Sequence, residues 1–140
     1  VNFGSKPDFS DRIATGKYYS IACNVCHSPN VKGEYPADRL FSGGMEFPMP
    51  DGTIIKSSNI SPDMGTGIGY MSKSLFISKF KACGDPSNLD VKIWGYNTPM
   101  AWNFIAKTVR AEDLEAVYDY LMTQKPVNHK VEKITQQGLK

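Results

Sequence analysis

Apolar side chains recur with a helical period in three parts of this chain. Leu114, Val117, Tyr118 and Leu121 fall at i, i+3, i+4 and i+7, the spacing of one buried helix face. Glu112 and Asp113 precede them, where a helix dipole favours negative charge, and Pro126 stops the run. A looser stripe of Phe9, Ile13, Tyr19 and Ile21 follows the polar cap candidates in Pro7-Asp8-Phe9-Ser10-Asp11. A third helix is predicted to start at Ser72 or Ser74, bury Leu75, Phe76 and Phe80, and end at Gly84 as its C′ residue. From His27 to about Met71 there is no sustained period, and Gly, Pro, Ser and Asn are frequent. Ile54 and Ile55, after Asp51-Gly52, read as a short extended piece that does not by itself predict a sheet.

At the end of the first helical stripe stands Cys23-Asn24-Val25-Cys26-His27. C-x-x-C-H is the attachment sequence for a c-type haem. The two thiols add across the porphyrin vinyl groups as thioethers, and the histidine that follows is held against one face of the ring, where its imidazole binds iron. With three Cys and two His in the chain, chance gives this pattern in about 10⁻³ of sequences of this composition. A thioredoxin-like pair would need a βαβ setting, and a zinc site a second pair of ligands. The sequence offers neither. One haem c, covalent through Cys23 and Cys26, also explains the long irregular stretch, because a porphyrin supplies apolar surface on which such segments pack.

The chain has 140 residues, the size of one domain, so 1–140 reads as a single monohaem unit. Hydrophobic residues at 41% and charged residues at 21% are ordinary globular usage. A net charge of +2 is too small to make nucleic acid the partner. No apolar run reaches the roughly 18 residues of a membrane span. The chain opens at Val1 without a basic and then apolar leader, and is expected to be a mature exported protein whose signal has been removed.

Iron with His27 on one side has Met45, Met49, Met64, Met71, Met100, Met122 and His129 as candidates for the other. A thioether would raise the reduction potential relative to a second histidine, but chemistry alone does not choose among the methionines. Met45 and Met49, beside Gly43-Gly44 and Pro48, read as loop-packing or pocket residues, and His129 as a solvated side chain in a polar tail. Cys83 is left as an odd thiol. It reads as buried and inert, with a disulfide to a second chain as the sharper alternative. Lys73, Lys79, Lys81 and Lys92 are candidates for a basic rim that steers an acidic partner, against the plainer reading of solvated lysines.

From Cys23 to Val127 the chain resembles the class I cytochromes c related to the cytochrome subunits of membrane-bound alcohol, gluconate and polyol dehydrogenases. The resemblance lies in Cys23-Asn24-Val25-Cys26-His27-Ser28-Pro29, Leu40-Phe41-Ser42-Gly43-Gly44, Asn59-Ile60-Ser61-Pro62-Asp63, Thr66-Gly67-Ile68-Gly69, Pro99-Met100-Ala101-Trp102, Glu112-Asp113-Leu114, Tyr120-Leu121 and Pro126-Val127. It implies a mainly α class I cytochrome c fold, with helices and long loops around one covalent haem. It makes His27 and Met100 the axial ligands, puts Leu40, Ile68 and Trp102 against the haem, and makes Asn59 and Ser61 candidates for hydrogen bonds to a propionate. Trp94, Tyr96 and Trp102 have core packing as their plainer reading. The resemblance also brings Gly16 and Tyr19 of the first helix towards Val117, Tyr120 and Leu121 of the last, with Gly16 allowing the close approach. The sequence departs from the family's pattern at Met71, Ala101 and Arg110, where tryptophan, proline and a Ser or Thr cap are frequent, and it carries one haem motif where the dehydrogenase subunits typically carry several.

The expectation is therefore a protein that is not itself an enzyme: a periplasmic electron carrier passing single electrons between redox protein partners, from a donor to a respiratory acceptor. Two alternatives stand beside it: a haem-bearing subunit held permanently in a dehydrogenase complex, and a haem protein with an open distal site that binds a small ligand.

Overall fold

The protein is described here by a computed structural model covering residues 5–85, 87 and 99–136. Four helices account for most of the regular structure: α1 (Arg12–His27), α2 (Lys73–Ala82), α3 (Trp102–Thr108) and α4 (Ala111–Met122). Three short strands, β1 (Glu46–Pro48), β2 (Thr53–Lys56) and β3 (Ile134–Gln136), form an antiparallel sheet in the order β1-β2-β3. The chain is thus mainly helical, with a small sheet that its sequence pattern did not predict. Asp51-Gly52 closes the β1–β2 hairpin: Gly52 N–H donates to Met49 O at 3.0 Å, and Asp51 Oδ1 accepts from Thr53 N at 2.9 Å. Ile54 and Ile55 lie in the central strand, and β3 comes from the far end of the chain.

Each long helix is fixed by side chains at its start. Asp11 Oδ1 accepts from Ala14 N at 3.0 Å at the head of α1, and Ser72 Oγ from Leu75 N at 3.1 Å at the head of α2. Arg110 provides no such cap for α4. Its guanidinium instead reaches forward to Asp113, Nε to Oδ2 at 3.0 Å and Nη2 to Oδ1 at 3.2 Å, which satisfies a buried carboxylate in the first turn. α2 ends at Ala82 with Cys83 as its cap residue, and the Gly84 that follows does not adopt the left-handed conformation expected of a C′ glycine. The Cys83 Sγ donates to Lys79 O at 3.3 Å, so this half-buried thiol packs on its own helix end.

The crossing of α1 and α4 is the tightest helix contact. A Cβ on Gly16 would collide with the Ala116 carbonyl and the Tyr120 Cβ, so the two backbones touch where a glycine was expected to let them. This contact corrects the predicted face of α1. Phe9 and Ile13 are 45% and 41% exposed, while Thr15, Gly16, Ser20 and His27 are buried. Small side chains face α4 because larger ones would hold the helices apart. Arg12 pairs with Glu115 at 2.9 Å and with Asp119, and Lys73 of α2 joins the same Asp119 at 2.8 Å.

The core gathers Phe41, Ile68, Met71, Phe76, Phe80, Leu114, Val117 and Leu121. Three of the four apolar positions predicted for α4 are buried, and the fourth, Tyr118, sends its hydroxyl to Met71 O at 2.7 Å. On α2, Phe76 and Phe80 are buried as predicted, but Leu75 is exposed. α3 was not predicted. It has seven residues, no side-chain cap, one buried position in Ala106 and an exposed Phe104, so it carries no apolar stripe to recognise.

Candidate functional site

α1 ends at His27, so the C-x-x-C-H motif occupies its last turns. The imidazole is buried, and its Nδ1 lies 2.7 Å from the backbone oxygen of Ser58. A carbonyl only accepts, so Nδ1 carries the proton and Nε2 keeps its lone pair. This is how an outer partner fixes the tautomer of a metal-binding histidine. Burial pushes the His27 pKa below its ordinary value, and the Lys133 charge lowers it further, against the raising effect of the Ser58 bond. The ring is held neutral, the form that ligates iron.

The loop after the motif builds the wall that holds Ser58 in place. Gly43 N–H donates to His27 O at 2.7 Å. Gly43 has φ +74°, and a Cβ there would press into the Ser58 carbonyl group. A glycine therefore lets the chain turn back and pack directly against the group that orients the imidazole. Phe41, buried with a left-handed φ of 61°, accepts through its oxygen from Ile60 N at 2.8 Å and Ser61 N at 3.0 Å.

Beside His27 opens a cleft of about 280 Å³, lined mainly by apolar side chains. Cys23, His27, Asn59, Ile68, Met100 and Trp102 line it, so six of the nine residues singled out from the sequence meet there. Cys26, Leu40 and Ser61 do not line it, although Leu40 packs against the core. Ile60, Tyr70, Met71, Phe76, Phe80 and Leu121 supply further apolar wall. Burial raises the Cys23 thiol to about 11, so at neutral pH it is a thiol and not a thiolate. Among the described residues no group of three or more His, Cys, Asp or Glu side chains is arranged to hold a metal ion by itself. An apolar cleft with one oriented imidazole, a thiol from the attachment motif and a methionine fits a haem.

Of the seven distal candidates, only Met71 and Met100 line this cleft. Met64 is 68% exposed. Met45 lines a different cavity, together with His129. His129 is not the free side chain its polar surroundings predict. Its Nδ1 contacts Ser42 O at 2.8 Å, and its N–H donates to Thr66 Oγ1 at 2.9 Å, so it fastens the tail to the loop wall.

The two residues expected to face a propionate are engaged elsewhere. Asn59 Nδ2 lies 2.9 Å from Val127 O, 3.1 Å from His129 O and 3.2 Å from Thr66 Oγ1, while its Oδ1 accepts from Ser61 N and Oγ. Ser61 is fully buried and accepts from Val127 N at 3.1 Å. Both residues brace the tail, and the sequence did not reveal this use.

The expected basic rim is also altered. Lys73 is paired with Asp119, and Lys81 Nζ donates to Ala106 O at 3.2 Å and Val109 O at 2.6 Å, closing the end of α3. Lys79 lines the cleft, whereas Lys92, Trp94 and Tyr96 lie outside the described residues. Ser58 and Lys133 are cleft residues that the sequence did not signal. Ser58 acts through a backbone carbonyl that any residue supplies, and Lys133 lies beyond the last predicted helix.

No protein-family model matches the chain. It is 37% identical over 112 residues to the gluconate 2-dehydrogenase cytochrome c subunit of Pantoea cypripedii, an alignment covering 79% of this chain and 22% of that protein. It is 33% identical over 106 residues to a nicotinate dehydrogenase subunit of Pseudomonas putida, covering 75% of this chain and 8% of that protein. The chain thus spans about a fifth of the first relative and less than a tenth of the second. Both relatives are named as subunits of dehydrogenases, and the first as a cytochrome c subunit.

Proposed function

We propose that this chain is a single-haem electron-transfer domain of class I cytochrome c type that works within a dehydrogenase complex. The observation that carries the reading is His27: it closes a C-x-x-C-H motif, is oriented by Ser58 O at 2.7 Å, and faces a cleft that also holds Cys23 and Met100. Cys23 and Cys26 would hold the porphyrin covalently, and His27 and Met100 would bind its iron. Haem bound there supplies one-electron exchange between ferric and ferrous iron. The chain's own part is to fix the His27 tautomer, keep water from the iron with Ile68, Met71, Phe76, Phe80 and Leu121, and keep the ligand set the same in both oxidation states.

The soluble or loosely docked carrier expected from the sequence gives way to the complex-bound reading. Its support is that both relatives are dehydrogenase subunits much longer than this chain. The partners are then redox proteins of the complex, and the location is the periplasm, where such cytochromes work. No described helix is long and apolar enough to cross a membrane.

The test is the optical spectrum of the holoprotein, ferric and ferrous, with and without carbon monoxide, for the parent chain and for Met100→Ala and Met71→Ala. The expected result is a covalent haem with the weak sulfur-to-iron band of a methionine ligand. That band is lost, and carbon monoxide binds to the ferrous form, in Met100→Ala alone. Rapid carbon monoxide binding by the parent chain would overturn the two-ligand assignment and favour an open-site haem protein. Loss of the band in Met71→Ala with retention in Met100→Ala would move the ligand to Met71.

A further inference from the structure

The segment that follows α4 closes the His27 side of the cleft. Beyond Val127, where the resemblance to cytochromes ends, the tail is fastened at three places. Asn59 Nδ2 donates to Val127 O and His129 O, His129 is bonded to Ser42 O and Thr66 Oγ1, and β3 pairs with β2, Ile134 opposite Ile55. Between the last two fastenings, Val131 and Lys133 enter the lining of the cleft. The Lys133 backbone is itself held, its oxygen accepting from Lys56 N at 2.8 Å.

A haem is an apolar disc with two carboxylates on one edge. Carboxylates at a partly buried site need a cation or free donors. Of the polar side chains in the lining, Asn59 and Thr66 are bonded to the protein, and Ser58, Tyr70 and Trp102 offer neutral donors that do not balance a charge. Lys79 and Lys133 are the cationic side chains among the described lining residues. Both are exposed, but Lys79 stands on a helix surface, whereas Lys133 rises from a strap whose backbone is pinned on both sides of it.

We propose that residues 127–136 form a haem-binding strap whose Lys133 ammonium holds a porphyrin carboxylate on the His27 side of the cleft. The assignment rests on the haem reading above. A cation at this edge favours the ferrous state, which carries one more electron, so its removal lowers the midpoint potential.

The experiment is a redox titration of the holoprotein carrying Lys133→Gln, Lys133→Glu, Lys133→Arg or Lys130→Gln, with resonance Raman spectra of the propionate bending modes. Lys130 is the control, since it lies on the same strap but lines the separate cavity with Pro29, Gly44 and Glu46. The expected result is a lower potential in Lys133→Gln, a larger drop in Lys133→Glu, recovery in Lys133→Arg and no change in Lys130→Gln, with the propionate modes moving only when the Lys133 charge is lost. Equal shifts at both lysines, or none at either, with normal axial ligation overturn the strap assignment alone. A chain that takes up no covalent haem overturns the functional reading and the strap with it.

Discussion

The α1–α4 crossing and the loop-built wall behind His27 meet in one helix but are held together by different means. At the crossing, packing is the agent: Gly16 removes a Cβ so that one backbone lies on another, and Leu114, Val117 and Leu121 bury the adjoining face. Behind His27, hydrogen bonds are the agent: Gly43, Ser58, Asn59, Ser61, Thr66 and His129 connect three irregular stretches through polar groups that run from buried Asn59 and Ser61 to exposed His129. The first arrangement tolerates no added volume, and the second no missing partner. α1 joins them by packing its middle on α4 and carrying the attachment motif at its end.

The sharpest way to break the first half of the comparison is Gly16→Ala. The new Cβ meets the backbone of Ala116, which cannot swing aside as a side chain would, so a loss of about 3 kcal/mol or more is expected in thermal unfolding. Asn59→Ala tests the second half. It removes an amide bonded to Val127 and His129, and costs about 2 kcal/mol in urea unfolding. Amide exchange in 127–136 should quicken while the α1–α4 amides stay protected; uniform loss of protection would show that the two regions open together.

The smallest effect belongs to Asp119, which joins α1, α2 and α4 from the exposed side. Burial pushes its carboxyl up, but hydrogen bonds from Lys73 and Arg12, with their charges, outweigh this and hold it below the ordinary 3.8. The unfolded chain therefore takes up this proton first as the pH falls. The contribution is complete above 3.8 and is lost as the pH drops through the lower folded value. Asp119→Asn should cost about 1 kcal/mol at neutral pH and flatten the acid limb of a stability-against-pH curve. An unchanged acid limb would mean that the ion-pair cluster does not act on stability.

Much of the helical scaffold was legible because its signals are local. Leu114, Val117 and Leu121 declare a face, Ser72 a cap and Pro126 a stop within a few residues of where each acts. Gly16 was legible through a resemblance, not through its own pattern. The wall was illegible for the opposite reason. Asn59 answers to Val127 and His129, and Ser42 to His129, across most of the chain. The sheet was hidden because its strands are three or four residues long and its third member comes from the tail.

The sequence by itself determined the chemistry offered: two thiols and an imidazole in one C-x-x-C-H run, and helices with faces to pack. Covalent spacing and helical period are short-range properties, set by bond geometry. Only the tertiary structure decided which methionines reach the cleft, that Ser58 orients His27, that Lys73 and Lys81 serve the scaffold, and that the tail returns as a strap carrying Lys133. Those outcomes depend on which distant backbone groups meet once the chain has buried its core, and no local pattern encodes such meetings.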